Sequence, residues 1–377
     1  MRTLPLFFLI LILLTVNLVG CTIPVCCEKP EPVKPIKKAD VSIIAVGDIM
    51  LGTNFPDDRL APNDGSLLLK AITPILSMAD ITFGNLEGVL LEGGEAAKKC
   101  KNSTSCYVFR SPPHYANYLK SAGFDVLSLA NNHARDFGEE GRTASMQALD
   151  AAGILHTGRV GDVARFKVKG LTVTWIAYAP FGGSHDLLDI PLAVKQIKAL
   201  SKVSDMVLVS IHAGAEGKDV ERIPFKSEMF YGENRGDVVK FSHAVIDAGA
   251  DLVVGHGPHV PRALELYKGK LIAYSLGNFL TYQGIRITGN NGVAPILSLT
   301  LSSDGRFKKG KIISARQHRP EGTLVDKNHK AAKVIKALTL ADFPNTPLNF
   351  SQSGLITPRS LPLKKVTENK QKSTLVQ

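Results

Sequence analysis

One design recurs along this chain and constrains it most: an apolar run that stops abruptly in amides, imidazoles or carboxylates. Its fullest instance is Leu127-Ser-Leu-Ala-Asn-Asn-His-Ala-Arg-Asp136, where the run over 124–130 ends in Asn131, Asn132 and His133, with Asp136 close behind. Val126, Leu127 and Leu129 suit a strand buried on both faces. Polar groups at the carboxyl end of such a strand have no packing purpose, and in open α/β sheets that end is where ligands sit. An Asn-rich turn before a helix competes, because Asn tolerates left-handed backbone and caps helices. Repetition favours the site. Residues 41–46 stop at Gly47-Asp48, and 80–84 stop at Asn85-Leu-Glu87. Residues 205–211 stop at His212 with Glu216 behind it, 251–254 stop at Gly255-His-Gly-Pro-His259, and 271–276 stop at Gly277-Asn278.

Helical patterns fall between these runs, over 66–78, 113–122, 138–152, 189–200 and 236–248. Gly123 and Gly249 are the expected stops of two of them. Strand, polar terminus and helix alternate from residue 41 to about 280, which predicts an α/β domain. A hairpin turning at Asp304-Gly305 is expected over 291–317 and a basic helix over 328–340. Beyond about 345 the Ser-, Lys- and Thr-rich sequence predicts a frayed tail. The expected organisation is a targeting segment at 1–20, a Pro- and Lys-rich spacer at 21–39, the α/β domain at 40–320, and a C-terminal helix with a basic tail at 321–377.

The targeting segment carries no fold information. Arg2 precedes an apolar stretch over 6–19, which ends in Leu18-Val-Gly-Cys21. It is too short for a comfortable membrane span. The end resembles the bacterial lipoprotein signal, which implies cleavage before Cys21 and a lipid on its sulfur. An uncleaved N-terminal anchor is the alternative. Either reading places the domain outside the cytoplasm, on a membrane of the cell envelope. In an oxidising compartment a disulfide between Cys100 and Cys106, closing the polar loop between them, is expected. Cys26 and Cys27 fall in the spacer with no assigned role. The formal net charge of +11 suits an anionic surface or an acidic polymer. Much of that excess lies in the two ends of the chain. Basic and aromatic residues do not interleave, and the single Trp sits in a β-rich run as core, which argues against nucleic acid.

The strand ends together offer Asp48, Asn85, Glu87, Asn132, His133, Asp136, His212, Glu216, His256, His259 and Asn278. Carboxylate, imidazole and amide oxygen form the ligand set of a first-row divalent ion. Two carboxylates, one Asn and three His could hold two ions, and paired ions clamp an oxyanion and activate water.

Five segments carry a further likeness. Val46-Gly-Asp-Ile-Met-Leu-Gly52, Asn85-Leu-Glu-Gly88, Ala130-Asn-Asn-His-Ala-Arg-Asp136, Gly255-His-Gly-Pro-His259 and Ser275-Leu-Gly-Asn278 resemble, in order, the motifs of the capsule synthesis protein CapA family. The resemblance covers about residues 41–282. That family is associated with poly-γ-glutamate synthesis and is related to the calcineurin-like metallophosphoesterases. The resemblance implies a four-layer sandwich, two β-sheets flanked by helices. It implies Asp48, Glu87, Asn132, His212, His256 and His259 as metal ligands for one or two ions of Mn, Fe or Zn. It implies His133 as the group facing the scissile bond, with Asp136 orienting its ring. Asn85, Asn131, Glu216 and Asn278 are expected to bind substrate. Two departures stand out: Met50 replaces the histidine of the phosphoesterase Asp-x-His, and Ala213 stands where the family usually shows Trp.

Two functions follow from these residues and the resemblance. One is a metal-dependent hydrolase cutting a phosphoester or a γ-glutamyl amide outside the membrane. The other is a non-catalytic factor that binds poly-γ-glutamate during assembly or export, within a capsule synthesis complex. Fold-level analogy does not choose between them.

Overall fold

A nearly unbroken buried run along the first strand sets the layering. The computed structural model describes residues 39–98, 107–217 and 219–359. The targeting segment with Cys21, and the Cys100–Cys106 pair, lie outside the described residues. Strand β1 (Val41–Met50) sends Val41, Ile43 and Ala45 to one face and Ile44 and Val46 to the other, and every one of these is buried. Side chains of a strand alternate between faces, so a strand apolar on both must lie between two covering layers.

The elements that matter follow in order: β2 (Ile81–Leu86), α1 (Tyr115–Ala122), β3 (Val126–Ser128), α2 (Gly138–Ala151), β4 (Leu155–Thr157), β5 (Ala164–Val168) and β6 (Leu171–Ala179). Next come α3 (Ile190–Ser201), β7 (Met206–His212), α4 (Val238–Ala248), β8 (Leu252–His256), β9 (Leu264–Tyr267), β10 (Lys270–Ala273) and β11 (Asn278–Thr281). The chain closes with β12 (Val293–Leu301), β13 (Phe307–His318), β14 (Gly322–Val325), α5 (Lys330–Asp342), β15 (Leu348–Phe350) and β16 (Leu355–Pro358).

Two large sheets result. The first is ten-stranded and runs β15-β16-β13-β12-β1-β2-β3-β4, with β11 alongside β1 and β14 alongside β13. β1 to β4 are mutually parallel, whereas β12 and β13 are the expected antiparallel hairpin. The second sheet is seven-stranded, with β6, β7, β8 and β10 parallel at its centre. Their inner faces meet in one apolar core: Ile43, Ala45, Phe83 and Val126 from the first sheet against Val173, Trp175, Leu208 and Val254 from the second. The rings of Phe83 and Trp175 stack across the interface at 4.0 Å. Outside the first sheet, Leu119 of α1 and Leu149 of α2 pack on Ile44, Val46 and Leu127. Outside the second, Ile197 of α3 and Phe241 and Val245 of α4 pack on Val207, Val209 and Ile211. Helix, sheet, sheet, helix is the four-layer sandwich.

Three local expectations differ from the structure. The helix predicted over 66–78 shrinks to Thr73–Leu76 with turns before it. Pro74 cannot donate to a preceding turn, so it sits in the first turn of this short helix. The strand predicted over 271–276 divides: β10 ends at Ala273, and the chain crosses to the first sheet as β11. The tail expected to fray beyond 345 carries two strands, up to Pro358, and residues 360–377 lie outside the described residues. Leu348 and Ile356 bury themselves on the edge of the first sheet, and β16 pairs with β13. Among the described residues no helix is long and apolar enough to cross a membrane.

Candidate metal centre

The parallel registers bring the polar strand ends together. Asp48 lies opposite Asn85 on one side and Asn278 on the other. His212 lies opposite His256 in the facing sheet. A register shift between Asp48 and Ile49 marks a bulge, the usual device for re-aiming a side chain at a site. Gly47 is needed beside it, because a Cβ there would overlap the Gly277 carbonyl. His259 sits in left-handed backbone at φ 60°, in the tight turn after β8.

Three predicted ligands converge. One ligand atom each from Asp48, Glu87 and His259 lies within 4.8 Å of the others. Asp48 is fully buried; its Oδ1 accepts from Asn85 at 2.9 Å and its Oδ2 lies 3.0 Å from His259 Nδ1. Asn278 Oδ1 also faces that nitrogen, at 2.9 Å. These two acceptors place a proton on Nδ1 and turn Nε2 towards Glu87 Oε1, 3.5 Å away, and Glu216 Oε2, 3.7 Å away. Orienting an imidazole through its far nitrogen is the usual arrangement behind a metal-binding histidine. Asn131 donates to Asn85 Oδ1 at 3.1 Å and to the Leu86 carbonyl at 2.8 Å, so the two predicted amides hold Asp48 in place.

Glu87 decides what the centre wants. It is wholly buried, and neither carboxylate oxygen has a hydrogen-bond partner among the described residues. An ionised carboxylate in that state costs several kcal/mol unless a cation answers it. Burial, reinforced by the charges of Asp48 and Glu216, pushes Glu87 well above the ordinary carboxylate range, against the pull of His259 and Lys98. Burial alone would lower His259, but Glu87, Asp48 and Glu216 hold it well above the ordinary imidazole value. Burial would likewise raise Asp48, but the His259 hydrogen bond and the charges of His259, His256 and His212 hold it at about 2. Burial thus disfavours the ionised Glu87 carboxylate at the point where it faces His259, and a divalent ion would fit there. His212 Nε2 and Asn132 Oδ1 are also buried without a partner.

The other predicted residues occupy distinct positions. His133 Nδ1 lies 2.7 Å from Asp136 Oδ2, and its Nε2 faces Glu87 Oε1 at 3.9 Å. Its backbone N–H donates to Asn131 Oδ1, an Asx turn that fixes the loop after β3. Burial lowers the His133 pKa, partly offset by Asp136. His256 Nε2 faces the Val46 carbonyl at 3.0 Å, so this ring ties the second sheet to the first. His212 Nδ1 faces the Asn85 amide nitrogen at 3.3 Å, which leaves its proton on Nε2. Burial depresses both rings, His212 strongly. Glu216 accepts from Arg235 at 2.8 Å. Met50 Sδ accepts the Gly52 N–H at 3.3 Å, so the thioether serves its own turn.

Sequence reasoning missed three neighbours. Lys98 Nζ stands 3.4 Å from Asp136 Oδ1, Phe109 tilts over the His133 ring at 4.3 Å, and the Arg235 guanidinium lies over Phe181 beside His212. None of them ends a strand, so no pattern in the chain singles them out.

Known proteins resemble this chain in the same region. The family described as bacterial capsule synthesis protein PGA_cap matches residues 42–283. The chain belongs to this PGA_cap family. The match takes in Asp48, Glu87, His133, His212 and His259. Capsule biosynthesis protein CapA of Bacillus anthracis is 28% identical over 299 residues, covering 73% of this chain and 68% of that protein. PGA biosynthesis protein CapA of Bacillus subtilis (strain 168) is 27% identical over 299 residues, covering 74% of this chain and 73% of that one. Among solved structures, the calcineurin-like phosphoesterase YfkN from Bacillus subtilis aligns with a TM-score of 0.42 and 14% identity, over 80% of this chain and 96% of that chain.

Proposed function

We propose that this PGA_cap protein is a divalent-metal-dependent hydrolase of the cell envelope that acts on a capsule polymer of the poly-γ-glutamate kind. The observation that carries the reading is the fully buried Glu87 carboxylate, which accepts no hydrogen bond among the described residues, stands beside Asp48 and His259, and faces Nε2 of the His133–Asp136 pair at 3.9 Å. Asp48, Glu87 and His259 would hold the ion. A bound divalent ion supplies Lewis acidity to the scissile carbonyl or phosphoryl group and lowers the pKa of water.

The chain's own residues do the rest. Asp136 takes the Nδ1 proton of His133 as a hydrogen bond and so presents Nε2 to the reacting bond. Burial weakens the ring's hold on a second proton, so that proton at Nε2 is readily given to a leaving group. Phe109 covers one face of the ring and limits water there. Lys98 offsets the Asp136 charge. Names of the Bacillus relatives support the polymer class; γ-glutamyl amide cleavage is the specific bond proposed. A lipid on Cys21 would keep the enzyme at the envelope.

Met50 favours a second reading, a non-catalytic polymer-binding factor. Its thioether is a poor ligand for a hard ion and already accepts from Gly52. One assay separates the two. Metal-loaded protein is incubated with poly-γ-glutamate and with a phosphodiester, beside His133→Ala. Turnover lost in the variant supports the hydrolase. Polymer binding without turnover, equal in both proteins, supports the binding factor.

A further inference from the structure

A second feature lies away from the metal centre, where the start of α5 meets β13 and β14. Three cavities of about 280, 250 and 410 Å³ adjoin there: the first two share Asp326, and the second and third share His329. Their walls carry Arg316, Lys311, Lys327, Lys330, Lys333 and Lys336. None of these six forms an ion pair with another described residue, whereas Lys268, Lys270 and Lys308 elsewhere are each answered by an aspartate. Asp326 is the one carboxylate among the described wall residues. Both its oxygens are taken by backbone N–H groups, of Asn328 and Lys330 at 3.0 Å each, so it caps the helix.

The first cavity also shares Gly289 with a fourth, of about 420 Å³, which His259 and Glu216 of the metal centre line. Glu216, Asp219 and Glu221 make that fourth cavity acidic apart from Arg286. Negative charge on a ligand is therefore met beyond the 285–292 segment, in the basic groove, and not beside the ion.

We infer that this groove is a docking track for a carboxylate-bearing polymer, which it holds while the chain reaches the metal centre. The inference rests on the polymer reading above. The groove's chemistry separates this occupant from others. Five of its six cations are lysines, point charges suited to spaced carboxylates, where bidentate phosphate recognition favours arginine. No Phe, Tyr or Trp is among the described residues lining the three cavities, so nucleic-acid bases have no stacking platform. The surface is concave, which suits a chain better than a flat lipid headgroup layer.

The test is binding of fluorescein-labelled poly-γ-glutamate to the purified full-length protein, read by anisotropy at several salt concentrations. Lys327→Gln, Lys330→Gln and Lys333→Gln are combined; all three side chains are exposed, so the fold is left alone. The control combines Lys195→Gln, Lys198→Gln and Lys202→Gln at α3, an equal change in charge. The groove variant is expected to bind about tenfold more weakly, three exposed ion pairs at roughly a factor of two each, with a shallower salt dependence. The control is expected to stay within about twofold of the parent. Equal losses in both variants, or none in the groove variant while the parent binds, overturn the track and leave the polymer reading standing. Absence of binding by the parent overturns both. Displacement of the polymer by oligo-dT or by phosphatidylglycerol vesicles at equal charge concentration also overturns the track.

Discussion

Two buried carboxylates, Glu87 after β2 of the first sheet and Glu228 in the loop after β7 of the second, have opposite surroundings. Glu228 is met by Arg262 through two parallel bonds of 2.7 and 2.8 Å, and it also accepts the Ala215 N–H at 3.0 Å. Arg262 is itself fully buried and spends its remaining Nε–H on the Val220 carbonyl. The two charges there answer each other, and the Arg262 and Glu228 bonds to Val220 and Ala215 tie the pair to the loop after β7. Glu87 accepts no hydrogen bond among the described residues; the His259 and His133 rings face it only at 3.5 and 3.9 Å, and the other groups around it are carboxylates. The difference teaches how a functional centre is recognised: not by buried charge, which both regions have, but by charge the protein leaves unanswered.

The sharpest way to break this contrast is to remove an answer in one region and the question in the other. Arg262→Ala strands Glu228 and should cost about 3–5 kcal/mol in urea unfolding. Glu87→Gln, in metal-free protein, should cost less than about 1 kcal/mol or stabilise, because it removes a desolvated acid that accepts no hydrogen bond, at the loss of one long contact to His259. Similar losses for the two would end the distinction. A smaller effect is expected at Gly214, which has φ 88° and would place a Cβ 2.8 Å from Arg262 Nη1. Gly214→Ala should lower stability by about 2 kcal/mol through backbone strain and a displaced guanidinium. In the open region, Asn131→Ala frees Asn85 from one of its holds on Asp48. It should cost about 1–2 kcal/mol and weaken ion affinity more than it weakens the fold.

The smallest effect lies outside both regions and checks that the method resolves ordinary ion pairs. Burial lowers His156, but its bond to Asp162 at 2.9 Å and the Asp150 charge raise it above the usual imidazole value. A raised folded-state pKa adds stability that is complete below the unfolded value of 6.5 and disappears as pH climbs through the folded value. Unfolding free energy should therefore fall by less than about 1 kcal/mol on going from pH 6 to pH 8 on this account, and His156→Gln should flatten that slope.

Much of the layering and the strand-end chemistry was legible in the chain. Buried parallel strands need unbroken apolar runs, and those runs announce their own ends, which is why Asp48, Asn85, Glu87 and His212 stood out. What stayed hidden depends on contacts between distant segments. Leu355–Pro358 is held by pairing to Phe307–His318, and Leu348–Phe350 by pairing to Leu355–Pro358, which no local propensity reveals. His256 looked like any other strand-end histidine, but the Val46 carbonyl that occupies its ring arrives from the opposite sheet. Arg235 and Lys98 reach the centre from loops. The tautomers of His212 and His259 follow from amide and carboxylate neighbours on other strands.

The central claim is that Glu87 awaits a cation, and calorimetric titration of the metal-free protein with Mn²⁺ tests it most directly. Run in two buffers of different ionisation enthalpy, the titration also counts protons released. The account predicts stoichiometric binding with net proton release from the Glu87–His259 pair, and loss of both in Glu87→Gln while Arg235→Gln retains binding. No binding heat in the parent with Mn²⁺, Fe²⁺ or Zn²⁺, or equal affinity in Glu87→Gln, would contradict it.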